Sequence, residues 1–324
     1  MREVGAPQAT RRVKPLWAGL WLALIAALLW LPRPILAQPG DGERILAVYL
    51  PGVYFARLED KVELGNELAV HLSKQLAGAG DEPLRLTPRV YATQEALDAD
   101  SARIVLLLAE SPLIAARLST LQPVAVVAPS GSSETRLAVL ASPAIRTLAD
   151  LRGSKLLYAL PLENPQSFAE NLLFEGELAL ARDRLVSARD VGSLLSLASL
   201  RKADAILLYE DDAAGAQKAG LRALYTSAPL PRPTLAVVER RLPGVDLARL
   251  REVMAGFRSS TLPAWRSFRG TNEAAYQALR TRQERRPRRL PPLLELDEDA
   301  AQLPLPQPPP AQPRVPLTTY APSL

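Results

Sequence analysis

Few residues in this chain have the means to do covalent chemistry. Cysteine is absent and His71 is the one histidine. That inventory removes thiol nucleophiles, disulfides, iron–sulfur ligation and Cys/His zinc sites. It also argues against a Ser-His-Asp hydrolase, because His71 would have to serve as the base, and it lies beside Leu72 in a helix-patterned stretch. No catalytic residue, metal centre or cofactor is expected. Several of the polar groups that remain stand at the ends of patterned segments. In Pro161–Ser167, Asn164 can cap a helix and Pro165 suits its first position. Gln166 and Ser167 there offer backbone and side-chain donors. Glu210, Asp211 and Asp212 follow an apolar run and can meet a cationic group, or stand as a solvated acidic loop. Tyr49 and Tyr54 flank the exit of the first apolar run, and Tyr49 reads equally well as core. Ser111 precedes a helical stretch that it can also cap. Ser130-Gly131-Ser132-Ser133 reads as a turn.

The elements that must position these groups alternate. Ile45–Leu50, Arg103–Leu108, Pro123–Ala128, Arg136–Ala141, Lys155–Ala159, Ala205–Tyr209, Leu221–Tyr225 and Thr234–Glu239 read as strands, with Leu84–Leu86 as a shorter one. Between them lie helix-period segments. In Lys61–Ala77 the leucines at 64, 68, 72 and 76 make one apolar face. Thr93–Ala99, Leu113–Leu118, Pro165–Ala181, Asp190–Lys202 and Asp212–Gly220 are the others. Asp190 and Asp246 are plausible N-caps, the latter of a helix carrying Leu247, Leu250, Met254 and Phe257. This alternation predicts an α/β protein with parallel sheets packed between helices.

The 324 residues, 48% hydrophobic and 23% charged, suffice for well-developed cores. The net charge of +5 is local. Arg2, Arg11, Arg12, Lys14 and Arg33 against Glu3 leave residues 1–37 at +4 and the rest near +1. A second basic run, Arg280 to Arg289, lacks the interleaved aromatic residues of a single-strand binder, and no nucleic-acid partner is expected. Residues 1–37 read as a secretory signal peptide. A basic start precedes the apolar run Leu16–Leu31, then come Pro32 and Pro34, and Ala37 ends the segment. The run is shorter than the ~20 residues of a membrane span. A periplasmic location is therefore expected, with membrane contact of its own only through an uncleaved leader. Residues 281–324 read as a basic and then proline-rich, extended tail, with an acidic patch from Glu295 to Asp299.

Thr147-Leu148-Ala149-Asp150-Leu151-Arg152-Gly153-Ser154-Lys155-Leu156 resembles the passage that opens the second lobe of periplasmic solute-binding proteins of the phosphate, phosphite and phosphonate type. Ile104–Arg117, Ser193–Leu208 and Pro231–Glu239 followed by Val245–Phe257 are similar to further passages of that family, in the same order. The resemblance implies a two-lobed type 2 periplasmic-binding-protein-like α/β fold with two hinge-crossing strands, here Arg136–Ala141 outward and Thr234–Glu239 back. Residues 38–134 plus 240–280 would form lobe one, and 135–239, hinge strands included, lobe two. It also implies an ABC permease as partner and a small-molecule solute, phosphate- or phosphonate-like, in the interlobe cleft. Tyr49, Tyr54, Ser111, Asn164, Gln166, Ser167 and Glu210 would be the ligand-facing positions. Where the family holds its anion with several hydroxyls this chain has one serine, and Glu163 beside it would repel an anion. A descendant that kept the fold and lost the ligand, acting as an envelope interaction or sensory protein, is the alternative.

Overall fold

The computed structural model describes residues 43–76, 84–239, 241–242 and 245–285. The leader and the proline-rich tail lie outside the described residues. The chain builds two mixed sheets. Strands β1 (Arg44–Tyr49), β2 (Leu86–Val90), β3 (Ile104–Ala109), β4 (Leu121–Val127), β12 (Thr234–Val238) and β13 (Phe268–Gly270) form the first, in the order β13-β4-β12-β3-β1-β2. Strands β6 (Leu137–Ala141), β7 (Leu156–Tyr158), β8 (Leu185–Ser187), β9 (Ala205–Tyr209) and β10 (Arg222–Thr226) form the second, in the order β10-β6-β9-β7-β8. The parallel expectation holds for β1 with β2 and β3, and for β7 with β8 and β9. Strand β12 instead runs antiparallel between β3 and β4, and β6 runs antiparallel to β9 and β10. A strand that enters a sheet from the other half of the chain arrives from the cleft side, which reverses its direction.

The join differs from the sequence expectation in the same way. Strands β6 and β12, read there as the crossings, lie inside the two sheets. The paired part of each crossing is shorter: β5 (Glu134–Thr135) and β11 (Leu230–Pro231) form an antiparallel two-stranded ribbon just before β6 and just before β12. Pairs this short offer almost no hydrophobic periodicity to read.

Each sheet is apolar on both faces. On one face of the first sheet, Leu46, Val48, Leu106 and Leu108 pack on Leu64, Leu68 and Leu72 of α1 (Leu58–Leu76) and on Leu250 and Met254 of α7 (Leu247–Gly256). On the other, Ile45, Ala47, Tyr49 and Leu107 pack on Leu97 of α2 (Gln94–Ala99), Leu113 of α3 (Ser111–Ala116) and Tyr276 of α8 (Glu273–Glu284). The second sheet is covered by α5 (Val191–Ser199) and α6 (Ala213–Lys218) on one side, through Leu194 and Ala216. On its other side lie Phe168, Leu172 and Phe174. Burying side chains of this size contributes roughly 1.5–3 kcal/mol each. The caps follow the sequence reading: Asp190 accepts the Ser193 N–H at 2.8 Å and Asp246 that of Ala248 at 3.0 Å.

The expected helix Pro165–Ala181 is shorter. Helix α4 (Pro165–Ser167) widens at once into a π-helical stretch, Phe168–Leu173, closed by the Phe174 N–H on the Ala169 carbonyl. It stops at Glu175 and Gly176, which adopt φ values of 53° and 88°. That left-handed pair ends the helix as a glycine terminator does. Helix α8, not predicted from the sequence, spans both halves. Its Tyr276 sits in the core of the first sheet and its Leu279 in that of the second. Among the described residues no helix is long and apolar enough to cross a membrane.

Candidate functional site

The C-terminal ends of β1, β3, β7 and β9 converge between the sheets, the place where open α/β sheets bind ligands. Each contributes one residue at or just past its end: Gly52, Glu110, Leu160 and Tyr209. Strand β3 is apolar and fully buried over Ile104–Ala109, so Glu110, the next residue, is carried inside with it. Glu110 Oε1 accepts the Gly52 N–H at 2.6 Å. Its Oε2 has no partner among the described residues, and neither does the buried hydroxyl of Tyr209. Burial pushes the Glu110 carboxyl up to about 8, against the opposing pull of the Gly52 N–H and Lys61. The Tyr209 phenol is raised by its own burial and then by the charge of Glu110. Lys61, on α1, donates to the Leu50 carbonyl at 2.8 Å. Desolvation lowers its pKa, while Glu110 and Asp190 draw it back up.

Several contacts cross from one sheet to the other. The Val191 N–H donates to the Pro51 carbonyl at 3.2 Å and the Tyr54 N–H to Asp212 Oδ2 at 3.3 Å. Arg117, at the end of α3, pairs with Asp98 at 2.7 Å and reaches Glu163 at 2.6 Å. Burial raises the Asp212 carboxyl to about 6, opposed by the Tyr54 N–H. Asp211 is bound to Arg232 and accepts from Thr135 at 3.3 Å, which ties the two crossing segments together. The cation that the acidic trio was read to await is thus, for Asp211, supplied by the protein.

Two hollows line the boundary. One, of about 350 Å³, has Tyr49, Glu95, Tyr158, Leu160 and Arg189 in its walls. The other, of about 320 Å³, is bounded by Pro112, Glu163, Asn164, Ser167 and Arg280, and the two share Leu162. Of the seven residues singled out in sequence, Tyr49 therefore faces the first hollow, and Asn164 and Ser167 the second. Asn164 is the cap it was read to be, accepting the Ser167 N–H at 3.1 Å. Gln166 is exposed and donates to Glu170 at 3.0 Å. Tyr54 is half exposed and meets the other half through its backbone. Ser111 is fully buried and gives its hydroxyl to the Pro231 carbonyl at 2.5 Å, so it serves the crossing ribbon, with Glu110 in the cap position before α3. Glu210 is exposed, and its N–H donates to the Arg136 carbonyl at 2.9 Å.

Glu110, Tyr209, Gly52 and Lys61 were missed. A carboxylate directly after six apolar residues was the available signal: a strand buried on both faces leaves its next side chain no quick way to water.

The profile of the ABC transporter, phosphonate, periplasmic substrate-binding protein family matches residues 59–280. The chain belongs to that family. No curated protein matches it in sequence. Several solved structures share its fold, that of type 2 periplasmic binding proteins. A Xanthomonas citri protein solved with ATP bound is 18% identical at a TM-score of 0.54, covering 74% of this chain and 97% of its own. A binding protein component of an ABC phosphonate transporter from Pseudomonas aeruginosa is 10% identical at 0.53, covering 74% and 85%. A Prochlorococcus marinus protein in complex with methylphosphonate is 14% identical at 0.52, covering 74% and 96%. In this phosphonate-family chain the residues that meet at the strand ends are acidic and aromatic, with few hydroxyls.

Proposed function

We propose that this protein captures a small solute in the cleft between its two halves and delivers it to an ABC permease. The leader, residues 1–37, would export it to the periplasm, and no chemistry would be done on the solute. Bending would occur at the β5–β11 ribbon, a pair of two-residue strands at the crossing between the sheets. The observation that carries the reading is the pair of buried polar atoms at the strand ends, Glu110 Oε2 and the Tyr209 hydroxyl, each without a partner. An orphaned buried polar group costs ~1–3 kcal/mol, and a ligand that satisfied both would recover it.

The solute class follows from the charges. A phosphate- or phosphonate-like group would meet the N-terminal turn Asn164–Ser167, where Ser167 is the one hydroxyl and Glu163 adds a negative charge. Asp212, raised only to about 6 and so ionised at neutral pH, suits a donor or a cation instead, while Glu110, kept protonated by burial up to about 8, offers a hydrogen bond rather than a charge. The favoured solute therefore carries a protonated amine, with or without an anionic end. Thermal melts with phosphate, phosphite, methylphosphonate, aminoalkylphosphonates and simple alkylamines test this. Stabilisation by several degrees at millimolar amine-bearing ligand is expected, and a response confined to amine-free anions would overturn the assigned class.

One contact favours the second reading, a descendant with no solute. A Cβ on Gly52 would lie 2.6 Å from Leu160 Cδ2, so protein already fills the space above Gly52. Silence to the whole panel would support it.

A further inference from the structure

A third hollow, of about 480 Å³, opens beside the 350 Å³ one and shares Pro51, Ala92 and Arg189 with it. Glu110 and Tyr209 are not among its walls. Its apolar lining comes from Leu58 and Val62 of α1, from Pro51 in the loop after β1, and from Pro88 and Val90 of β2. Leu58 and Val62 stand one helical turn apart and are 66% and 43% exposed. Two apolar side chains are thus left to water where they border the hollow. A hollow of this size, mostly apolar with a few placed polar groups, has the form of a small-molecule site.

Most polar groups of its wall are already engaged. The Tyr91 hydroxyl donates to Asp100 at 2.8 Å. Asp190 accepts the N–H and the hydroxyl of Ser193, each at 2.8 Å, and the Arg189 guanidinium at 3.1 Å. Lys61 is the exception. One N–H of its ammonium goes to the Leu50 carbonyl at 2.8 Å, and the Phe55 ring centre lies 5.1 Å away. An ammonium has three N–H groups, and among the described residues this one forms no ion pair. Burial lowers its pKa, and Glu110 and Asp190 act on it only at longer range. Glu110 is itself kept largely protonated by burial, and Asp190 is engaged elsewhere. A half-buried ammonium without a counter-charge is unfavourable, and an anion placed in the hollow would relieve it.

We propose that this hollow is a second binding site, taking a small carboxylate with an apolar chain or ring. The carboxylate sits on Lys61 and the hydrocarbon lies against Leu58, Val62 and Val90. One cation among apolar walls matches one negative charge on an apolar body. A phosphonate dianion would bring a second charge, and the other cation of the wall, Arg189, is already on Asp190. The site is separate from the Glu110–Tyr209 pair and does not depend on which solute that pair holds.

Thermal melts of the full-length chain test it with phenylacetate and hexanoate, beside acetate, which lacks the hydrocarbon, and phenylacetamide, which lacks the charge. Millimolar phenylacetate or hexanoate should raise the melting temperature by a few degrees, and the two controls should not. No response to either probe overturns the proposal, and so does an equal response to phenylacetamide. Val62→Asp puts a like charge into the wall at an exposed position and should abolish the shift. A shift that survives it would place the carboxylate elsewhere. Lys61 is read directly by limited reductive methylation and peptide mass mapping. Phenylacetate should slow modification of Lys61 several-fold and leave the exposed Lys74 unchanged. Equal rates at Lys61 with and without phenylacetate again overturn the site.

Discussion

The Gly52 N–H donates to Glu110 Oε1 at 2.6 Å, inside a gap closed from the other sheet by Leu160. The loop leaving β1 and the end of β3 are thereby fastened to one carboxyl that has no exposure to water, with Leu160 at the end of β7 packed over Gly52. The pH response of the protein follows from that arrangement.

Glu110 titrates at about 8 in the folded protein, against an ordinary value of 4.5. The unfolded chain releases this proton first, so its stabilising contribution is complete below pH 4.5 and is lost as pH rises toward 8. Asp212, raised to about 6 from 3.8, acts in the same direction in a lower window. Melts between pH 6.5 and 8 isolate Glu110. The wild type should lose stability across that range, by on the order of 1 kcal/mol per pH unit at most. Glu110→Gln, which keeps the acceptor for Gly52, should be nearly flat there and more stable than wild type at pH 8. A wild-type profile equally flat would refute the assignment.

Gly52 has no room for a side chain. Gly52→Ala puts a methyl 2.6 Å from Leu160 Cδ2 and 3.0 Å from Glu110 Oε1, and should destabilise by about 1–3 kcal/mol. Leu160→Ala in the same chain should restore part of the loss, with a coupling of at least ~0.5 kcal/mol in a double-mutant cycle. Strict additivity of the two losses would mean that the residues do not meet.

Arg117 holds two carboxylates, one in each half. Its side chain is 22% exposed and that of Glu163 is 41% exposed. Solvent screening limits such a pair, so Glu163→Gln should cost no more than about 1 kcal/mol, shrinking in high salt. Arg117→Ala loses both partners and should cost more in urea melts. Equal losses for the two variants would show that the bridge to Glu163 carries the entire effect.

Tyr276 fastens α8 to the crossing region. Thr234 Oγ1 donates to the Arg232 carbonyl at 2.8 Å, which leaves it as acceptor for the Tyr276 hydroxyl at 2.5 Å. Tyr276→Phe keeps the ring in the core and removes that bond, at a cost of roughly 1 kcal/mol. The change should raise hydrogen exchange along α8. Unchanged denaturation and exchange would remove Tyr276 as the tie.

Residue types and periodicity alone carried the α/β class, the leucine face of α1, the caps at Asn164, Asp190 and Asp246, and the absence of thiol chemistry. These are local properties: a cap or an apolar stripe is written within a few neighbouring residues. The family likeness was legible too, in short passages whose order the fold preserved. What was decided only in three dimensions rests on pairs far apart in the chain. Asp211 looked free for a ligand until Arg232 arrived beside it, and Ser111 looked ready to face the cleft until Pro231 took its hydroxyl. Glu110 became the centre of the cleft because a buried strand delivered it beside Gly52, 58 positions away. Burial and partnership depend on which distant segments meet, and no local pattern records that meeting.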